Sequence, residues 1–404
     1  MAESPMPSPS VSIYAYPWDL HDEGLETASE QLVGCGFNTV HLAFTYHLGT
    51  YLLPRNPVRS VYYGNAGAVY FQPELSLYAD GAPRPPVAEM VDRNPGYMSE
   101  LVAALRGAGL KIRAWAVYCY NHALGTAFPR LAKVDALGNA YLAQLCVGNP
   151  QVRAYARALT RDIAKNYEVD GLLVETLGYM DYSYGFLNPK TAVEPSPRAA
   201  FLLGLCFCPG CRDAGLAAGI DVDRLQREVA TWLRGHLNRL PDDEEAAMST
   251  DEEWQEAAFE GELAAFVAVR SKVAASLLAE VLDMFSDIRR DGVLECVNFG
   301  GIEEAEARAL RLRLDERRIG IAPGAEVATL RKRFEEVRQT YGRDTKVIAA
   351  FYPVVLCTED GFGEALASAR AAGADGFRVY NYGLLTERQL SWLRRADWRV
   401  EASG

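Results

Sequence analysis

The sequence predicts a single (β/α)8 barrel of the TIM type, an α/β fold, with long loops after strands two and four. Three observations carry this. Eight short apolar runs alternate with helix-period segments along the chain, and strands alternating with helices imply a parallel sheet. No glycine-rich phosphate loop follows the first strand, which counts against a Rossmann sheet. The run Leu172–Val174 ends in Glu175, and the C-terminal end of a barrel strand is where catalytic groups sit.

Taken in order, residues 1–10 are expected to be a disordered tail, and 11–404 the barrel. The start has neither a positive n-region nor an apolar h-region, so no secretory signal is expected. Strand one spans Val11–Tyr16, with Pro17–Asp22 as the loop leaving it. Leu25, Ala28, Leu32 and Val33 recur at helical spacing, and Gly34 and Gly36 stop that helix. Strand two is Asn38–Phe44, and His41 within it reads as core.

A loop from Thr45 to Asp92 follows. It is rich in Pro and aromatics without period, and loops of that length are usually functional. It is expected to fold over the barrel mouth and supply His47, Tyr51 and Arg55 to the site. A helix over Tyr97–Arg106 and strand three, Lys111–Tyr118, come next. Asn149-Pro150 places an N-cap and a Pro at N1 of the helix leading to strand four.

The longest connection, about 176–292, is a helical and cysteine-rich insertion. It carries a helix near Val222–Leu240, an acidic break at Asp242–Glu245 and a long helix over Asp251–Ile288. The remaining strands are Val293–Phe299, Arg318–Ala322, Lys346–Phe351 and Gly376–Asn381, with helices after the last three.

The chain has 404 residues, 49% hydrophobic, enough for a sizeable core, and a net charge of −12. That charge argues against nucleic acid and anionic membranes as partners. No apolar run approaches the ~18 residues of a membrane span. Eight cysteines, three of them within Cys206–Cys211, suit a reducing compartment, the cytoplasm, and a metal better than a disulfide framework. A homo-oligomer is compatible with all of this.

Cys206-Phe-Cys208-Pro-Gly-Cys211 is the most specific motif. Its Pro-Gly turn folds the third thiol toward the first two, and a closed structural zinc site needs four ligands. Cys146 is the best fourth, Cys119 the runner-up. Cys35, Cys296 and Cys357 lie on helix or strand patterns and read as core.

Cys146-Val-Gly-Asn149-Pro150-Gln-Val-Arg153, a carboxylate ending strand four, and Cys206-x-Cys208-x-x-Cys211 together resemble the glycoside hydrolase family 42 β-galactosidases and related barrel hydrolases. The resemblance implies a structural Zn²⁺ held by Cys146, Cys206, Cys208 and Cys211, and Glu175 as acid/base. It covers about Cys146–Cys211. Val174 stands where that family has Asn, and Ala349–Val354 lacks the carboxylate expected at its nucleophile position. It therefore extends to a distant glycosidase-like barrel.

Glycoside hydrolysis commonly uses two carboxyl groups. Asp181, among Tyr179, Tyr182 and Tyr184, is taken as the second. Asp19, Asp22, Glu303, Glu304, Glu359 and Asp360 are the other candidates. Trp18, Asp19, His47, Arg55, Asn121, His122, Tyr179, Tyr352, Asn381 and Tyr382 are expected to bind a carbohydrate or glycoside, because aromatic faces stack on sugar rings and polar tips bond hydroxyls. Two other readings fit: a lyase or isomerase on a sugar acid, with Glu175 abstracting a proton, or a non-catalytic carbohydrate-binding barrel. No metal-spaced His/Asp cluster and no Gly-x-Ser-x-Gly elbow appears.

Overall fold

The computed structural model describes residues 9–78, 81–240, 247–297, 300, 302 and 314–400. Eight parallel strands form a closed ring in chain order. They are β1 (Ser10–Ala15), β2 (Thr39–Tyr46), β3 (Lys111–Val117), β4 (Gly171–Glu175), β5 (Val293–Val297), β6 (Glu316–Gly320), β7 (Lys346–Phe351) and β8 (Gly376–Val379). β1 pairs with both β8 and β2, which closes the barrel. The surrounding helices are α1 (Leu25–Gly34), α2 (Tyr97–Gly107), α3 (Pro150–Asn166), α4 (Glu262–Ile288), α5 (Val327–Tyr341), α6 (Glu359–Ala371) and α7 (Glu387–Arg395). Among the described residues no helix is long and apolar enough to cross a membrane.

Local chemistry explains several boundaries. The Asn149 side chain accepts from the Gln151 N–H, with Pro150 in the first turn of α3, so one orphan donor is satisfied where Pro lacks one. Thr386 and Gln389 form a reciprocal capping box on α7. Side chains alternate along each strand, and β3 and β4 pair Trp115 with Leu173 and Val117 with Glu175.

Some expectations change. The segment after β1 is a helix, Pro17–Glu23, since Pro at N1 starts a turn as readily as it makes a loop. β6 begins two residues earlier than expected and carries Glu316, Arg317 and Arg318, charges that hid it from an apolar pattern. The long helix is broken. Glu252–Ala257 is separate from α4 because Phe259, Glu260 and Gly261 take left-handed backbone. Cys357 is exposed, not core, whereas Cys35 and Cys296 are buried. The acidic break Asp242–Glu245, Phe299, Glu303 and Glu304 fall wholly or mainly outside the described residues.

The barrel interior is charged rather than uniformly apolar. Arg378 pairs with Glu295 at 2.6 Å and Glu316 at 3.2 Å. Arg113 lies 3.9 Å and 3.8 Å from the same two carboxylates. His41 meets Glu295 at 2.7 Å through Nε2, while its Nδ1 has no partner among the described residues. The Nε2–H tautomer donating to the carboxylate satisfies this geometry. All five side chains are buried.

Candidate active site at the barrel mouth

Glu175 ends β4 with its side chain on the barrel axis, where Trp115 Nε1 donates to Glu175 Oε2 at 2.5 Å. The Trp115 ring packs on Tyr14, Tyr16, Tyr46 and Tyr380. Three tyrosine hydroxyls converge beside it. Tyr16 Oη lies 3.0 Å from Tyr46 Oη and 2.8 Å from Tyr380 Oη. Burial drives the Tyr46 and Tyr380 hydroxyls up from the ordinary phenol range, and the Glu175 charge adds to this in both. They therefore remain protonated donors at neutral pH.

The half-buried rim comprises His47, His122, Tyr352 and Tyr380. His47 stacks between Tyr46 and Tyr120, at 4.2 and 4.3 Å between ring centroids. Burial holds its pKa below the usual histidine value against the opposing pull of its Leu48 carbonyl bond and of Glu175, so the ring is neutral. Arg318 lies over the Tyr352 ring at 5.6 Å, and Tyr352 faces Tyr380 at 5.8 Å.

Several of the other expected sugar ligands bond to protein groups or lie buried under the loop after β2. Arg55 donates to Glu23 and to the carbonyls of Leu385 and Tyr382, and the Tyr382 hydroxyl also binds Glu23. Arg55 thus fastens the loop after β2 to the ends of β1 and β8. Tyr51 of that loop, paired in the ribbon Thr50–Leu52/Val61–Tyr63, packs on Tyr16 and Trp18. Asn121 caps the helix His122–Ala127 and donates to the Gly67 carbonyl. Asn381 caps the turn that follows β8. Trp18, Asp19, Asn381 and Tyr382 are all buried beneath this lock. Asp181 is exposed, and its carbonyl accepts from Gln144. Asp22 is bound by Arg59 and Asn56, and Glu359 by Arg395.

Asp19 is 3% exposed. Its Oδ2 has no partner among the described residues, and Asn56 reaches Oδ1 at 3.4 Å. Burial, opposed by Asn56 and helped by Asp22, pushes its pKa up to about 8, so it is neutral at pH 7. The folded protein holds a proton that the unfolded chain releases above about pH 4, so this group's contribution to stability falls as pH rises and is gone above about 8. Asp19→Asn is expected to remove that decline. Thermal midpoints from pH 5 to 9 check it, and the variant should gain on the wild type toward pH 8.

Away from the axis, Cys146, Cys206, Cys208 and Cys211 gather their sulfurs within 4.8 Å of one another. Cys146 Sγ is 3.4 Å from Cys211, 3.5 Å from Cys206 and 3.4 Å from Cys208. These separations are far beyond a disulfide and close to the edge of a tetrahedron with 2.3 Å arms, about 3.8 Å. The cluster can hold a metal ion. Gly210 lets the turn approach, since a Cβ there would stand 2.1 Å from the Gly148 carbonyl oxygen. Cys119 lies outside the cluster. Tyr179 belongs to it, its hydroxyl 3.2 Å from Cys211 Sγ and its ring under Arg270. Lys133, also buried, has its pKa pushed down to about 7 by burial and Arg270, against the pull of Cys206.

Several solved structures superpose on this chain. An α-L-fucosidase isoenzyme 2 from Paenibacillus thiaminolyticus does so with TM-score 0.56 at 10% identity, over 96% of this chain and 48% of its own. The PgaB (BpsB) glycoside hydrolase domain from Bordetella bronchiseptica gives 0.55 at 14%, over 95% and 98%. A family 42 β-galactosidase from G. stearothermophilus gives 0.54 at 12%, over 96% and 56%. The chain shares their barrel fold. It spans about half the length of the fucosidase and galactosidase chains. No protein-family model and no curated protein matches the sequence.

Sequence reasoning missed Trp115 as the partner of Glu175, and Tyr16, Tyr46, Tyr120 and Tyr380 as the aromatic surroundings of the mouth. The available signal was positional, because each is at or near the C-terminal end of a predicted strand.

Proposed function

We propose that this barrel is a glycoside hydrolase in which Glu175 is the general acid/base. The observation that carries the reading is Glu175 itself, a carboxylate at the end of β4 that is 7% exposed, held by the Trp115 N–H and ringed by aromatic faces. Such faces stack on sugar rings, and the Tyr46 and Tyr380 hydroxyls and the neutral His47 ring suit hydroxyl recognition. Likeness in fold to fucosidase and galactosidase barrels supports the same reading. Glu175 would protonate the leaving oxygen as the glycosidic bond breaks. The buried Asp19 and the exposed Asp181 remain the candidates for the second carboxyl group that glycoside hydrolysis commonly uses. A panel of nitrophenyl glycosides tests the proposal. Turnover that depends on Glu175 supports it, and sugar binding without turnover would favour a non-catalytic barrel.

The four-cysteine cluster fits Zn²⁺. Four thiolates around it would leave two net negative charges; the buried Arg270 guanidinium, over the Tyr179 ring, stands near to offset them, with Lys133 beside it. All positions are protein thiols, so the ion's role is structural. Protein purified without chelator is expected to carry about one equivalent of zinc, and less than half an equivalent by elemental analysis would refute the site. Cys208→Ser should lower the melting temperature while leaving kcat of the folded enzyme unchanged, because a closed site offers no position to substrate.

A further inference from the structure

Beside the mouth lies a cavity of about 650 Å³, within the range of small-molecule sites. One wall is the antiparallel hairpin Ala132–Val134/Ala140–Leu145, the other the segment from Tyr184 to Pro189, and Leu203 and Leu237 also line it. Its surface is mainly apolar. Phe186 is 46% exposed and Leu187 53%, and the Phe186 ring lies parallel to Tyr141, 15° between planes at 6.1 Å. Aromatic and aliphatic groups left this open around a concavity mark a binding surface.

Ring contacts connect the cavity wall to the mouth. His122 lines it and faces Tyr120 at 5.8 Å. Tyr184, also in its wall, meets Tyr120 edge-on at 5.1 Å, and Tyr120 stacks on His47 beside Glu175. Gly185 makes this approach feasible. Its φ is +84°, and a Cβ there would stand 2.7 Å from the Tyr120 ring.

We propose that this cavity is the leaving-group site of the same hydrolase and takes a planar, apolar aglycone, so that the substrates are glycosides of aryl or polycyclic alcohols. The inference rests on the acid/base reading of Glu175. What decides against a further sugar unit is the supply of hydrogen bonds. The Asp135 carboxylate, the one acidic side chain among the described lining residues, already accepts from the Leu137 and Asn139 N–H groups, the Asn139 amide and the Tyr141 hydroxyl. The Asn139 amide gives one N–H to the same carboxylate, which leaves its oxygen and the Thr126 hydroxyl among the few other polar side-chain groups of the lining. His122 Nδ1 is a buried ring nitrogen there without a partner among the described residues. Each sugar hydroxyl buried without a partner forfeits its hydration uncompensated, and a pyranose brings several. A flat apolar ring brings none of that cost and gains the faces of Tyr141, Tyr184 and Phe186.

Fluorescence titration of the full chain with 2-naphthol tests this, alongside kinetics with nitrophenyl and 2-naphthyl glycosides of whichever sugar is turned over. The expected result is saturable 2-naphthol binding that cellotriose does not displace. Phe186→Ala should weaken it about tenfold or more, the loss of one ring face. Leu142→Arg, at a lining position that is 37% exposed, should do the same. Phe186→Ala should lower kcat/KM for the naphthyl glycoside more than for the nitrophenyl one, so that the ratio of the two falls while nitrophenyl turnover persists. Absence of 2-naphthol binding, binding indifferent to both variants, or displacement by cellotriose would each overturn the aglycone site and leave the hydrolase reading standing. Naphthol binding with no turnover of any glycoside would instead overturn the hydrolase reading, and the leaving-group role with it.

Discussion

Glu175→Gln is expected to lower kcat at least about 10²-fold, the scale of general acid–base catalysis, with folding and metal content unchanged. Gln keeps the shape, and its amide oxygen can still accept from Trp115 Nε1. Only the proton to be transferred is lost. The loss should therefore depend on the leaving group. A nitrophenyl glycoside departs with little protonation and should lose less than an alkyl glycoside. Equal turnover by wild type and variant on both substrates would remove Glu175 from the reaction, and with it the main ground for a glycosidase. The inward register makes the test meaningful. Glu175 shares its face with Leu173, which pairs with Trp115 inside the barrel, so a one-residue slip would have turned the carboxylate toward the helices.

The largest expected effect on stability lies deeper, at Arg378. Its guanidinium is fully buried between Glu295 and Glu316, and Arg113 with the two carboxylates brings the cluster to neutrality when His41 is uncharged. Arg378→Met leaves a carboxylate buried without its counter-charge, and breaking such a pair costs roughly 3–5 kcal/mol. Urea denaturation should show a lowered midpoint at unchanged slope. Adding Glu295→Gln to the same chain restores neutrality and should recover part of the loss, a coupling readable from the double-mutant cycle. A midpoint within experimental scatter of wild type would show that the cluster is not held as ion pairs.

The same cluster sets an acid limit. Burial and the Arg378 charge push the His41 pKa down to about 4. The Arg378 charge and His41 hold Glu295 below the usual carboxylate range against burial. Unfolded, these groups titrate near 6.5 and 4.3. The unfolded chain thus binds more protons as pH falls, first at His41 between about 6.5 and 4 and then at Glu295, so stability declines through that window. Glu316, raised by burial and by Glu295, acts in the opposite sense.

How much of this was legible follows from the range of each signal. Helix starts and strand ends are local. Asn149-Pro150 announces α3 because cap and missing donor are adjacent in the chain, and the apolar run before Glu175 announces β4 through its period of two. The cysteine spacing and the order of alternating elements are local in the same way, and they determined the barrel and the metal-ready cluster.

The interior could not be read so. Each of β2, β3, β5, β6 and β8 contributes one member of the charged cluster, and His41 meets Glu295 across 254 residues of sequence. In isolation such a residue looks like a flaw in an apolar strand, and in β6 it displaced the expected boundary. The roles of polar strand-end residues were equally undetermined. Asn121 and Asn381 can bond a sugar or a backbone, and here they cap turns; Arg55 could hold a ligand, and here it holds Glu23. The chemistry of a side chain is written in the sequence, but the partner that consumes its hydrogen bonds is supplied by whichever distant strand the closed barrel brings alongside.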